Sequence, residues 1–244
     1  MQNKESITIY YVVGQPRSGS TFVGDWLARR LNTINAGEVW QTFRSLKLVH
    51  DADFENSRGR WVQAEAREEK NKEINVNPFW NAVLLQDNTE PYSSLIKEAK
   101  NKSKSLVDTS KNDNGIAFYR SLGCKVVVIH TIRGFTTWAR SMNKYQSEYG
   151  LNKISLARLL FNYIKFNTAF KRYNNSGEYY VIKQENLDNL NLDMKCFIDA
   201  QELGDNYIRC EMFGTPNFSS EYSKKRGQQE ISKFDKLLYK LLGF

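Results

Sequence analysis

The chain has 244 residues, with 35 Lys and Arg against 27 Asp and Glu and a formal charge of +8 at pH 7. That length suits one sizeable core and no Pro/Gly/Ser-rich stretch divides it, so a single domain over 1–244 with an insertion is expected. The positive surplus favours an anionic partner, but the basic residues are scattered apart from short clusters such as KNKSK at 100–104 and Lys224, Lys225 and Arg226; with no basic arm or aromatic-basic repeat, a polyanionic cofactor is expected rather than nucleic acid or a membrane surface.

The amino terminus places a polar stretch before ITIYYVV, residues 7–13, an apolar run too short to span a bilayer and without a signal-peptide cleavage pattern. Its β-branched and aromatic composition predicts a strand ending at Gly14, followed by a tight loop. Phe22, Trp26, Leu27 and Leu31 then recur at helical spacing. Residues 40–104 are helix-leaning, charged and interrupted by Pro78 and Pro91, and are taken as an insertion able to line an acceptor pocket. SLVDTS at 105–110 predicts a second strand and residues 115–122 a short helix. KVVVIHTI at 125–132 is almost continuously apolar, the mark of a strand buried on both faces of a parallel sheet. Helices are expected at 136–145 and 154–173, a strand and turn at 179–187, and another helix at 190–200. Ile231, Phe234, Leu238 and Leu241 form a stripe on a terminal helix docked to the body. Strands alternating with helices predict an α/β fold, a P-loop-like doubly wound parallel sheet flanked by helices, with ligands at the strand carboxyl ends. Cys124, Cys196 and Cys210 are odd in number, widely spaced and without CxxC spacing, which indicates neither a disulfide framework nor a zinc site. A reducing, cytoplasmic location is expected.

The loop GQPRSGST, residues 14–21, has the glycine spacing of a nucleotide-phosphate loop, with Gly14, Gly19 and Thr21 in register but Ser20 where that loop carries lysine. Its permanent charge is instead Arg17, two residues before the second glycine. Glycine still lets the backbone approach an anion, successive N–H groups converge on its oxygens, and the helix beginning near Thr21 adds its positive end. A different phosphoryl-like group is implied, against the plainer alternative of an ordinary βα turn with a solvent-facing arginine.

PRSGSTF closely resembles the 5′-phosphosulfate loop of sulfotransferases that use 3′-phosphoadenosine 5′-phosphosulfate (PAPS), above all the carbohydrate and tyrosylprotein branches and bacterial members. That resemblance implies that Arg17, Ser18, Gly19, Ser20 and Thr21 hold the 5′-phosphosulfate. It extends to VVVIHTIRGFTTWARSM, where Arg133 ends a strand and Ser141 follows eight residues later, matching the family's 3′-phosphate site. Arginine offers a planar, permanently charged fork and serine a hydroxyl. Arg140 is a nearby cation without an assigned role.

Sulfuryl transfer to an alcohol or phenol needs an in-line nucleophile, a base for its proton, and positive charge at the bridge oxygen of the leaving group, with no intrinsic need for a metal. Glu38, in INAGEVW just after the first helix, resembles the Gly-Glu element whose glutamate is the general base of tyrosylprotein and some bacterial sulfotransferases. His130 and His50 are the competing bases, although a histidine inside an apolar strand is more usually a satisfied core residue. Lys111, ending SLVDTSK, resembles the Asp-x-Ser-Lys segment and stands for the leaving-group cation, with Asp108 and Ser110 able to orient it. The rival is a Walker B strand with Asp108 on magnesium, as in a kinase or NTPase, and a non-catalytic adenosine-bisphosphate-binding module is a further alternative. Lys225, Arg226 and Gly227 resemble an element that closes over the 3′-phosphate, a short match against a solvated basic turn. GTPNF at 214–218 assigns no site. The acceptor is expected to be a small-molecule or glycan hydroxyl. Trp40, Phe43, Trp61, Phe79 and Trp80 suit either a sugar or phenol acceptor or, for most of them, a core.

Overall fold

Residues 6–49, 72, 74, 76–86, 89–148, 150–176, 178–185, 208–210 and 231–244 are described by the computed structural model. The expected helix at 190–200, Cys196, His50, Trp61 and the Lys225, Arg226, Gly227 cluster lie outside them. The β-branched runs form strands β1 (Thr8–Gly14), β3 (Leu106–Lys111), β4 (Lys125–Ile132) and β5 (Tyr179–Lys183), and two further strands, β2 (Ile34–Gly37) and β6 (Ile208–Arg209), join them. The sheet order is β5-β4-β1-β3-β2-β6 and every pairing is parallel. Beyond its first residue β4 is buried throughout, as its unbroken apolar sequence predicts for a strand covered on both faces.

Between the strands lie α1 (Ser20–Arg30), α2 (Val39–Ser45), α3 (Pro78–Leu84), α4 (Pro91–Asn101), α5 (Asn114–Ser121), α6 (Phe135–Glu148), α7 (Leu156–Ala169) and a terminal α8 (Lys233–Leu242). Prolines open α3 and α4, where a missing N–H costs nothing. One core, with Tyr11, Phe43, Trp80, Leu95 and Tyr119, sits between the sheet and α2, α3, α4 and α5. A second, with Val12, Val23, Leu27 and Ile129, lies under α1. A third joins α6, α7 and α8.

Three expectations are refined. Trp40, Phe43, Phe79 and Trp80 are all buried, so the described part of 40–104 builds the main core; Trp80 Nε1 donates to the Cys210 carbonyl at 2.7 Å, tying α3 to the β6 edge. The buried face of α8 is Asp235, Leu238, Tyr239 and Leu242, while Phe234 and Leu241 are exposed. Both sets follow the helical period, but the buried face is turned from the stripe read from the sequence and shares only Leu238 with it. In α1 the fully buried apolar residues are Val23, Leu27 and Ala28, with Phe22, Trp26 and Leu31 on the flank.

β1 lies between β3 and β4, and the chain leaves it toward β2 on one side but leaves β4 toward β5 on the other. That reversal opens a crevice at the carboxyl ends of β1 and β4, where doubly wound sheets place their ligands. Registers Val13↔Lys111 and Gly14↔Thr131 bring the three strand ends to the same level.

Candidate active site

The loop after β1 is held from beneath. Ser18 N–H donates to the Gln15 carbonyl at 3.0 Å, and the Ser18 hydroxyl lies 2.8 Å from Thr131 Oγ1 on β4, which itself donates to the Val13 carbonyl at 3.2 Å. Trp138 Nε1 on α6 donates to the Pro16 carbonyl at 3.0 Å. Gly14 is obligatory: a Cβ there would stand 2.3 Å from Thr131 Oγ1 and 2.7 Å from Ser18 Oγ. Ser18 therefore braces the loop with both its amide and its hydroxyl, and the groups not engaged in this way lie further along it.

Those groups are at the start of α1. Gly19, in the left-handed region at φ 96°, is the N-cap and supplies no side-chain cap, and the first turn carries no acid. The first N–H groups of a helix have no intrahelical partner, so this end presents convergent donors and a positive dipole to an anion. The neighbouring α6 is the opposite case: Glu185 accepts from Gly134 N–H at 2.6 Å and Asp235 accepts from Thr136 N–H at 2.9 Å. One helix end at this rim is closed by carboxylates, and the other carries no acid in its first turn and no side-chain cap.

Arg17 and the β4–α6 pair converge across the crevice. Arg133 is 7% exposed; its Nε donates to Thr137 Oγ1 at 3.0 Å and a terminal nitrogen donates to the Arg17 carbonyl at 3.3 Å. Arg133's own carbonyl accepts from Tyr163 O–H at 2.7 Å, which fixes its backbone from α7. Arg17, held at φ 72°, extends its exposed guanidinium so that Nε reaches Ser141 Oγ at 3.5 Å. The loop arginine, Arg133 and Ser141 thus share one end of the crevice.

At the β2 and β3 ends, Glu38 and Lys111 form an ion pair with side chains 16% and 21% exposed. Glu38 follows directly on β2 at the N-cap of α2, a strand end that the sequence reading placed only in a loop after the first helix. INAG carries no strong strand signal, and its pairing with β3 decides its state. Lys111 is turned into the crevice by a register shift between β1 and β3 and by a left-handed backbone at φ 68°.

Beneath this pair, Asp108 is fully buried: Oδ1 accepts from Ser110 N–H at 2.8 Å and from the Ser110 hydroxyl at 2.5 Å, and Oδ2 accepts from Tyr119 O–H at 2.9 Å. Burial pushes its carboxyl up to about 7, against the opposing pull of these donors. Ser110 Oγ also accepts from Trp40 N–H at 2.9 Å, so Asp108 organises the β3 end and the start of α2. A carboxylate engaged in this way weighs against the Walker B reading, in which Asp108 would face a magnesium ion. His130 is likewise internal. Asn167 Nδ2 donates to the Tyr163 carbonyl at 2.9 Å, leaving Oδ1 to accept from His130 Nε2–H at 3.0 Å, while His130 Nδ1 accepts from Tyr179 O–H at 2.7 Å. Burial lowers this imidazole to about 4, so it is neutral, saturated and shut away from the crevice.

The sequence reading passed over two crevice residues, Gln184 and Glu185 at the end of β5. Neither matches a signature read from the chain, and only the sheet order brings them to the loop. Among the described residues no group of three His, Cys, Asp or Glu side chains forms a metal site, and no helix is long and apolar enough to cross a membrane.

No protein-family model and no curated protein matches the chain. Solved structures do: the sulfotransferase domain from the Synechococcus PCC 7002 olefin synthase superposes with a TM-score of 0.51 at 16% identity, covering 100% of this chain and 97% of that one. The sulfotransferase domain from the curacin biosynthetic pathway gives a TM-score of 0.51 at 14% identity, covering 98% of each chain. The chain has the α/β fold of these sulfotransferase domains, and at such identities the likeness is one of fold.

Proposed function

We propose that this protein is a sulfotransferase that takes a sulfuryl group from PAPS and places it on the hydroxyl of a small-molecule or glycan acceptor. One observation carries the reading: the acid-free, uncapped α1 end with Arg17 and the buried Arg133 with Ser141 meet across a single crevice, two anion-binding groups joined by contacts from Arg133 and Ser141 to Arg17. A nucleotide phosphorylated at both the 5′ and 3′ positions fits such a pair, and the lysine-free loop fits a 5′ group other than an ATP triphosphate.

PAPS when bound would supply an activated sulfuryl group whose departure leaves adenosine 3′,5′-bisphosphate. Gly19, Ser20 and Thr21 offer backbone donors to the 5′ group, with Arg17 adding fixed charge and Ser18 keeping the loop in shape. Arg133 and Ser141 hold the 3′-phosphate. Glu38 accepts the proton of the attacking hydroxyl, and Lys111 places its ammonium where negative charge gathers on the bridge oxygen. In this structure the two neutralise each other, so Lys111 must leave Glu38 for both to act. Lys225, Arg226 and Gly227 are proposed as a further 3′-phosphate contact. Cytoplasmic residence is proposed from the cysteine pattern.

Calorimetric titration with adenosine 3′,5′-bisphosphate and, separately, with magnesium-ATP tests the reading. Binding of the bisphosphate at micromolar concentration or tighter, lost in Arg133→Ala and unmatched by ATP, is expected. Preference for magnesium-ATP, or binding of neither, overturns it.

A further inference from the structure

Gln184 stands immediately past β5, 4% exposed, and its Nε2 is a buried donor with no hydrogen-bond partner among the described residues. An unpaired buried amide donor is costly, and in a native fold each calls for a reason. The position of this one is specific. A Cβ added at Gly19, the N-cap of α1, would find Gln184 Nε2 at 3.3 Å, Cγ at 3.5 Å and Cδ at 3.6 Å as its three nearest neighbours. The amide therefore lies against the loop at the residue where the helix donors begin.

Its placement is rigid. The adjacent Glu185 accepts from Gly134 N–H at 2.6 Å and from Tyr239 O–H at 3.0 Å, clamping the end of β5 to the residue after Arg133 and to α8. The backbone that carries Gln184 is thereby fixed beside the loop before any ligand arrives.

We propose that Gln184 is a further arm of the cradle, donating its side-chain amide hydrogen to the anionic 5′ group held at Gly19. This rests on the nucleotide reading above. The nitrogen is buried beside Gly19, and an oxygen of the anion in the cradle would satisfy it as the Gly19 peptide settles around that group. No bond is made or broken at Gln184; its part is to bind and position.

The test compares two ligands on wild type, Gln184→Leu and Gln184→Glu at pH 8, by calorimetry. Adenosine 3′,5′-bisphosphate carries the 5′ group and adenosine 3′-monophosphate lacks it. Gln184→Leu is expected to bind the bisphosphate about tenfold more weakly, the loss of one hydrogen bond to a charged group, with monophosphate affinity unchanged. Its melting temperature is expected to be no lower than that of wild type, because an orphan donor has been removed. Gln184→Glu, equal in size but presenting a carboxylate, is expected to lose more than the leucine variant for the bisphosphate alone. Equal loss for both ligands would place Gln184 at the base or the 3′ end, and no loss for either would make it a packing residue; each result overturns the proposal. Failure of wild type to bind the bisphosphate overturns the cofactor reading itself, a different result from normal wild-type binding with unaffected variants.

Discussion

Arg133 donates from its guanidinium to the backbone carbonyl of Arg17 at 3.3 Å, across 116 positions of chain. The contact joins the two segments that the sequence singles out as anion sites, and it makes the shape of the first depend on a side chain of the second. Arg133→Ala is therefore expected to lose both the 3′-phosphate ligand and a support of the loop, weakening adenosine 3′,5′-bisphosphate by roughly 2–3 kcal/mol. Arg133→Lys should recover less than half of that, because one ammonium cannot serve both Thr137 and the Arg17 carbonyl while meeting a phosphate. Calorimetry on the two variants decides it, and full rescue by lysine would show that charge alone matters.

Glu38→Gln removes the proposed base and leaves Lys111 without its ionic partner. Turnover is expected to fall about 10²- to 10⁴-fold, the usual range for a general base, while bisphosphate affinity holds or improves as Lys111 is released. Lys111→Ala should lower kcat while leaving the KM for the acceptor nearly unchanged. A Glu38→Gln enzyme that keeps its rate would move the base elsewhere.

Gly14→Ala places a methyl 2.3 Å from Thr131 Oγ1 and 2.6 Å from the Thr131 carbonyl. Both belong to the neighbouring strand, so the loop must shift. A destabilisation of about 1–3 kcal/mol in urea unfolding is expected, with bisphosphate binding lost out of proportion to it. Stability and affinity close to wild type would mean that the loop accommodates the methyl without losing its cradle.

Two buried groups pull stability in opposite directions with pH. His130, lowered to about 4 by burial, stays neutral in the folded chain while the unfolded chain takes up a proton below about 6.5, so its contribution is lost as pH falls from 6.5 toward 4. Asp108, raised to about 7, is favoured protonated in the fold, so its contribution is present below its ordinary carboxylate value and is lost as pH rises through 7. The two slopes oppose each other between pH 4 and 7. Asp108→Asn should unmask the histidine slope, giving stability that climbs more steeply from pH 4 to 6.5 than in wild type. Urea midpoints across that range measure it, and an unchanged profile would mean that Asp108 does not titrate in this window.

The strong local signals were legible in the chain. β1, β4 and β5 are runs rich in Val, Ile and Tyr, and β3 opens on Leu-Val; their bounds in the structure fall within a few residues of those read from the sequence, since β-branched and aromatic residues fit a pleated, covered surface. The loop 14–21 was legible because glycine spacing is imposed by backbone geometry, and the close approach at Gly14 is its physical reason. β2 and β6 were not: INAG contains Asn and Gly, and β6 is two residues long, so both owe their state to neighbours already in place.

Composition and local pattern by themselves determined the α/β class, the glycine-spaced loop after β1 and the basic character of the chain, because these follow from backbone conformation and charge within a few residues. Only the tertiary structure decided which groups face the crevice. It put Ser18 beneath the loop, shut Asp108 and His130 inside saturated hydrogen-bond networks, paired Glu38 with Lys111, and brought Gln184 to Gly19. Those outcomes depend on strand order and on which face of each strand is buried, a competition among distant segments for the same interior that no stretch of sequence settles alone.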